Sequence, residues 1–404
     1  MTPRLDIAII GAGLGGLAAA ATLLQRGHRV RVAEQSAVLG EVGAGIQMSA
    51  NAMKVLDRLG LRAPLEPLAV RPKAFEFRRF DDGELLHRLP LGEQHEQRHG
   101  APYFQLHRRD LHDALRAAVA ALDPQALVLG ARATALHERG DGVIVSFDQR
   151  PPWQADLAVG ADGIKSIVRP YIVGTDAPVH SSSADAPVFT GQLAWRCTVP
   201  IERIAPALRT DIVSTIWCGP RNHAVTYYLR AGRVLNFVGC VERAADEESW
   251  TTRHPWQDLS DDYAGWHPMV RAVIDALDRE PCFRLALYRR TPIERWSSAR
   301  VTLLGDAVHA TLPYMAQGAA MAIEDAAVLA RALDDDRPLP EQLALYHRHR
   351  GPRTARVIRE SDEMGELYHI ADAASMRAAF TQRDIARSRN EWLYPYDPWT
   401  CELE

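Results

Sequence analysis

The chain opens with an apolar run, a glycine-rich break and a second apolar run. Leu5-Asp-Ile-Ala-Ile-Ile10 is short and rich in β-branched residues, which predicts a buried parallel strand. Gly11-Ala-Gly13-Leu14-Gly15-Gly16 follows at once. An Ala- and Leu-rich helix is then predicted to about Gln25, with Gly27 as its stop. His28-Arg-Val-Arg-Val-Ala33 reads as a second strand, ending at Glu34 and Gln35. Much further on, residues 192–199, 212–218, 223–230 and 234–241 show period-two character and predict an antiparallel sheet. The segment 75–106 carries strand-like pieces and is expected to join that sheet. From Glu341 to about Ala386 the pattern is helical. The tail from Trp392 to Trp399 is aromatic and broken by prolines, which suits a domain cap or a contact in a homodimer.

Each part of the opening unit has a physical task. Gly11 permits a tight turn, Gly13 leaves room for a pyrophosphate against the backbone, and Gly16 allows the helix to pack closely on the strand. The helix N-terminus supplies free N–H groups and the positive end of its dipole. Glu34 lies 18 residues after Gly16, where an acid accepts ribose hydroxyls. Strand, turn, helix, strand and acid in register specify a dinucleotide site. The motif alone does not distinguish FAD from NAD. No second GxGxxG occurs, and the stretch from Gly40 through Gly43 to Gly45 lacks a preceding strand, so it is not a second copy.

Bulk properties narrow the class. At 404 residues two packed domains are expected. A net charge of -4 without a block of like charges argues against a nucleic-acid surface or an acidic-membrane anchor. The five cysteines are scattered, with no CxxC pair and no metal spacing, so a reduced, cytoplasmic setting and no metal are expected. Residues 7–24 are uncharged, but four glycines interrupt them, and a strand–turn–helix explains the run better than a membrane span.

Three later segments carry more chemistry. His107-Arg108-Arg109-Asp110-Leu111 opens a helix, where an arginine is by itself usually solvated. Ala158-Val-Gly-Ala-Asp162-Gly163 is a strand ending in a turn dipeptide, followed by Lys165, Ser166 and Arg169. Val301-Thr-Leu-Leu-Gly305-Asp306-Ala307 is a further strand and turn, followed by Pro313, Gln317-Gly318-Ala319 and Ile323-Glu-Asp-Ala326. With the first motif, these segments resemble the flavoprotein monooxygenases that include salicylate hydroxylase, 3-hydroxybenzoate 6-hydroxylase and 6-hydroxynicotinate 3-monooxygenase. The resemblance spans residues from about 5 to about 395. One departure is Val308-His309-Ala310, where the family pattern has Ala-His-Pro.

The resemblance implies non-covalent FAD as cofactor and NADH or NADPH as a transient co-substrate. It implies that Arg108 reaches the FAD ribose and pyrophosphate, that the Asp162 and Arg169 segment touches FAD and the nicotinamide, and that Asp306 bonds the ribityl chain. Gln317, Gly318 and Ala319 would present a helix N-terminus to the flavin, and Gly45 would end the loop beside its ring. The implied fold is α/β: a Rossmann-like FAD-binding domain of residues 1–74, 107–184 and 291–340, an inserted antiparallel-sheet substrate domain of residues 75–106 and 185–290, and a C-terminal helical region of residues 341–404. The implied reaction is hydroxylation of a phenolic aromatic acid with O2 through a flavin C4a-hydroperoxide. An FAD-dependent oxidase or dehydrogenase, and a non-catalytic FAD-binding protein, are the alternatives.

A phenol attacks faster as a phenolate, so a base is needed. His223 is the candidate, with Tyr227 four residues on and therefore on the same strand face. The alternative for His223 is a sheet residue with a satisfied hydrogen bond. Gln47, Met48, Tyr103, Gln105, Trp217, Pro313 and Met315 are candidate pocket residues by position. No arginine stands out as a carboxylate anchor, with Arg196 and Arg221 the options.

Overall fold

A computed structural model of the chain describes residues 4–40, 45–174, 185–243 and 253–404. The opening run forms the strand Asp6–Ile10 at the centre of a five-stranded sheet. Arg29–Ala33 and Leu157–Gly160 flank it, with Leu127–Val128 and Val301–Leu303 at the edges. All four pairings are parallel. Ile7, Ala8 and Ile9 are buried on both faces, which is why the run shows no alternation. The helix Leu14–Gln25 packs on this sheet and against helices Arg108–Leu122 and Gly318–Ala332. Its run from Ala18 to Ala21 is fully buried, because small side chains let those elements approach closely.

Register then decides where a ligand can sit. Ile10 lies beside Gly160, and Gly160 beside Leu303. Three loops therefore leave the carboxyl edge of the sheet together: residues 11–16, 161–163 and 304–306. That edge is where open α/β sheets bind ligands.

The second sheet has eight strands. Their order is Arg253–His254, Cys282–Arg289, Val188–Pro200, Val234–Glu242, Asn222–Leu229, Ser214–Gly219, Ala74–Arg79 and Leu85–Pro90. Only Ser214–Gly219 and Ala74–Arg79 run parallel. The segment 75–106 joins this sheet in part. Its last strand, Phe104–His107, pairs instead with Gly45–Met48 in a separate ribbon. All four of its residues are buried, so it has no solvent face to show as alternation. The strand Cys282–Arg289 and the meander Ala133–Arg139, Gly142–Phe147 and Trp153–Ala155 were not anticipated. Helices Trp256–Asp262 and Pro268–Asp275 cover the far face of the large sheet, over Trp195, Trp217 and Phe237. The helical C-terminal region consists of Leu339–Tyr368, Ala373–Gln382 and Ile385–Ser388, followed by a five-residue turn of wider helix over Arg389–Leu393. Among the described residues no helix is long and apolar enough to cross a membrane, and no cluster could hold a metal ion. All five cysteines are free.

A buried ion network joins helices Gly318–Ala332 and Leu339–Tyr368. Arg350 lies 2.7 Å from both Glu324 and Asp325, and Arg353 lies 2.8 Å from Glu324. Asn51 donates to Glu324 at 2.6 Å, and the Gly305 N–H donates to Asp325 at 3.0 Å. His309 Nε2 is 2.5 Å from the same Asp325 oxygen. Burial opposes ionisation of Asp325, but His309 and Arg350 outweigh it and hold the carboxyl down at about 2. Asp325→Asn leaves Arg350 short of one counter-charge, and a loss of about 3–5 kcal/mol in urea unfolding is expected. For the wild type, the Asp325 contribution is complete above about pH 4, the unfolded value, and fades as pH falls toward 2. Thermal melts across that range check the sign.

Candidate active site

The glycine loop is shaped by contacts that exclude side chains. Gly11 has φ +103°, and a Cβ there would come within 2.5 Å of the Ala161 carbonyl oxygen. A Cβ on Gly16 would lie 2.0 Å from the Gly11 oxygen. A Cβ on Gly13 meets nothing within 4 Å, so the space over the loop is open. The helix Leu14–Gln25 begins here with no side-chain cap and no acid in its first turn. Glu34 accepts the Ala12 N–H and the Ser36 N–H, each at 2.9 Å, and His112 Nε2 holds the Ala12 oxygen at 2.8 Å. Glu34 thus braces the loop and keeps lone pairs for a further donor. Gln35 is exposed beyond it.

A cavity of about 380 Å3 opens between the carboxyl edge of the parallel sheet and the inner face of the large sheet. Gly13, Leu14, Gly15, Arg108, Asp306, Gly318 and Ala319 line one side. The helix Gly318–Ala332 also starts without a side-chain cap, so two uncapped helix ends face one cavity. Gly11, Gly16, Asp162 and Gln317 stand back from it. Asp162 accepts the Ile167 N–H at 2.7 Å and caps the next helix, Val168–Val173. Burial pushes its carboxyl pKa up. Arg169 is fully buried and clamped to Asp185 at 2.7 Å and to the Val308 oxygen at 2.9 Å, so it orders the 306–309 turn and touches no ligand space. Gln317 is locked between Ser49 and Asn51, both at 3.0 Å. Of the loop before Gly45, residues 41–44 lie outside the described residues. Gly45 itself lies under the Tyr227 ring, which leaves no room for a Cβ.

The opposite wall comes from the large sheet. His223 faces Cys218, and Val225 faces Ile216, so these side chains share the cavity face with Tyr227. Trp217 pairs with Ala224 and points the other way. It stacks on His267 at 4.7 Å and donates to Thr226 at 3.1 Å in the second core. The pocket expectation for Trp217 is off by one residue of strand parity. Gln47, Pro313 and Met315 line the cavity. Met48 and Gln105 are buried away from it, and Tyr103 sits behind Gln47, donating to its Oε1 at 2.8 Å. Arg196 lines the cavity, whereas Arg221 is exposed and pairs with Glu242 at 3.4 Å.

Comparison with known proteins agrees with this geometry. A family model described as an FAD binding domain matches residues 4–361. The chain is 35% identical to 3-hydroxybenzoate 6-hydroxylase of Polaromonas naphthalenivorans (strain CJ2), over 98% of this chain and 97% of that protein. It is 38% identical to 3-amino-4-hydroxybenzoate 2-monooxygenase of Streptomyces cremeus, over 96% of this chain and 94% of that one. The chain belongs to the FAD-dependent aromatic-ring monooxygenases. The crystal structure of Klebsiella pneumoniae HpxO with FAD and uric acid matches with a TM-score of 0.81 at 28% identity, over 95% and 94% of the two chains.

The residues of this monooxygenase fit FAD. The open space over Gly13 and the uncapped helix Leu14–Gln25 suit a diphosphate, and Glu34 stands at the end of the second strand for a ribose. Arg108 and Asp306 lie along the same cavity, and the Gly318–Ala332 helix end would meet the flavin ring. Several cavity residues had no signal in the sequence. Tyr314, Tyr368, Cys240 and Arg389 all line it. Tyr314 packs edge-on against His223 at 4.7 Å. Arg389 comes from the C-terminal region, is 3% exposed, and lies over the Phe75 ring at 4.9 Å. Among the described residues no carboxylate pairs with it.

The glycine geometry separates folding from cofactor binding. Gly13→Ala should leave the apoprotein melt unchanged and weaken FAD binding by about tenfold or more, the worth of one to two phosphate hydrogen bonds. Gly16→Ala should lower the apoprotein melt itself, because its Cβ meets backbone. Flavin-fluorescence titration and calorimetry on both variants check the contrast.

Proposed function

We propose that the chain hydroxylates a phenolic aromatic acid of the hydroxybenzoate or hydroxypyridine-carboxylate class, with NADH or NADPH and O2. The observation that carries this reading is the shared face of His223 and Tyr227, which puts a base and a phenol opposite the FAD-lining loops in one cavity. When bound, FAD supplies the redox chemistry that activates oxygen. The chain supplies position, proton transfer and dryness. Burial, then the neighbouring His369, lowers the His223 pKa well below its ordinary value, so the ring is neutral and can accept a phenolic proton. Burial pushes the Tyr227 pKa up, so its hydroxyl stays protonated. Ile216, Val225, Val238, Leu285 and Leu287 make the remaining wall apolar. A substrate carboxylate has a counterpart in Arg389, a buried cation without a described counter-ion. The hydroxybenzoates named for the relatives carry both ring hydroxyl and carboxylate.

The test is NADH and NADPH oxidation in air by FAD-loaded protein. The panel is salicylate, 3-hydroxybenzoate, 4-hydroxybenzoate, 6-hydroxynicotinate and 3-amino-4-hydroxybenzoate. One compound should accelerate oxidation and yield a hydroxylated product. FAD-loaded protein that ignores the whole panel with both nicotinamides refutes the phenolic-acid reading. For the active compound, Arg389→Met should raise KM by about 10–100-fold, the worth of a charge-assisted hydrogen bond. The matching carboxamide should show no such change, and Arg389→Lys should recover part of the loss.

A further inference from the structure

We propose that the phenolic proton taken up by His223 leaves the cavity through His369 to Glu242 at the protein surface. The proposal rests on the phenol reading above and extends it to residues outside the cavity wall.

Three groups form an unbroken hydrogen-bonded line. His223 Nδ1 is 2.8 Å from His369 Nε2, and His369 Nδ1 is 2.7 Å from Glu242 Oε1. Exposure rises along the line: His223 is 1% exposed, and the side chains of His369 and Glu242 are 6% and 35% exposed. The fold builds this line from distant parts. His223 pairs across the sheet with Cys240, and Glu242 follows two residues later on the same face. His369 caps the C-terminal end of the helix Leu339–Tyr368 and enters between them.

The surface carboxylate sets the proton positions inside. Ionised Glu242 only accepts, so His369 Nδ1 carries the hydrogen. A neutral His369 then offers the lone pair of Nε2, and His223 must donate from Nδ1. His223 Nε2 is left bare, and His223 lines the cavity. A base two hydrogen bonds from solvent thus presents its lone pair to the substrate.

The transfer balances without charging either ring. The phenol O–H bond breaks as an N–H bond forms at His223 Nε2. The Nδ1 proton of His223 moves to His369 Nε2, and the Nδ1 proton of His369 moves to Glu242 Oε1, then to water. No electrons change hands. Reprotonation of the product oxygen runs the path backward and restores both tautomers. A net-neutral path suits this interior, since burial lowers the pKa of both histidines, more than the Glu242 contact raises that of His369. The other titratable groups around His223 are Tyr314, Tyr368, Tyr227, Cys240 and Cys218, and Tyr263 donates to its backbone oxygen. Burial raises the pKa of every one of them, and among the described residues only His369 is hydrogen-bonded to a His223 ring nitrogen, so none of them continues the line. Arg221 is the further charge at Glu242.

Two measurements test the path. In FAD-loaded enzyme carrying 15N-histidine, before any substrate, the His223 signal (assigned by its loss in His223→Gln) should show a protonated Nδ1 and a bare Nε2. A protonated Nε2 overturns the proposal, whatever compound proves to be the substrate. In turnover with the active panel compound, Glu242→Gln preserves the acceptor toward His369 but cannot take up a proton. Its kcat at neutral pH should fall by about tenfold or more, with KM nearly unchanged and the loss recovered as pH rises toward the phenol's own ionisation. Glu242→Asp should restore part of the rate. Wild-type kcat and pH profile in Glu242→Gln would overturn the relay while leaving the phenol reading intact.

Discussion

Two carboxylates and two guanidiniums are taken out of water between the helices Gly318–Ala332 and Leu339–Tyr368, and the shape of the site depends on them. Asp325 holds the Gly305 N–H and His309, and so fixes the turn that carries Asp306 to the cavity. Glu324 holds Asn51, which in turn bonds Gln317 at the start of the same helix. Arg350 and Arg353 tie both acids to the C-terminal region. Such a cluster is stable only when complete, because each buried charge relies on the others. It makes the position of two cavity-side loops a consequence of a helix that follows both of them in the chain.

The large sheet imposes the second constraint. One face packs two helices and a row of tryptophans, and the other face is the cavity wall. Strand alternation assigns every residue to one face or the other, so His223, Val225 and Tyr227 come as a set. The same rule sends Trp217 into the core while its neighbour Ile216 lines the cavity. The closing wall is neither sheet. Tyr314, Tyr368 and Arg389 reach it from loops and helix ends that follow the last parallel strand.

The glycine loop, its acid and the strands at both ends of the chain were legible because each is a local pattern. A turn that needs positive φ, a helix start without a cap and a fully apolar strand leave marks within a few residues of themselves. His223 and Tyr227 were legible for the same reason, through their spacing on one strand. Asp162, Arg169 and Gln317 show the limit. Their positions in the motifs were evident, but each side chain is spent on ordering backbone or a neighbouring amide. A motif residue that holds a loop in place and one that touches a ligand look alike in sequence.

By itself the sequence determined a parallel nucleotide-binding sheet, an antiparallel sheet and a histidine–tyrosine pair on one strand, because periodicity and turn chemistry act over short distances. Tertiary structure alone decided the parity of Trp217, the burial of Arg389 without a described counter-ion, and the meeting of His223 with His369 and Glu242. The last two depend on how elements more than a hundred residues apart in sequence pack together. No local preference encodes which helix end will fall beside which strand.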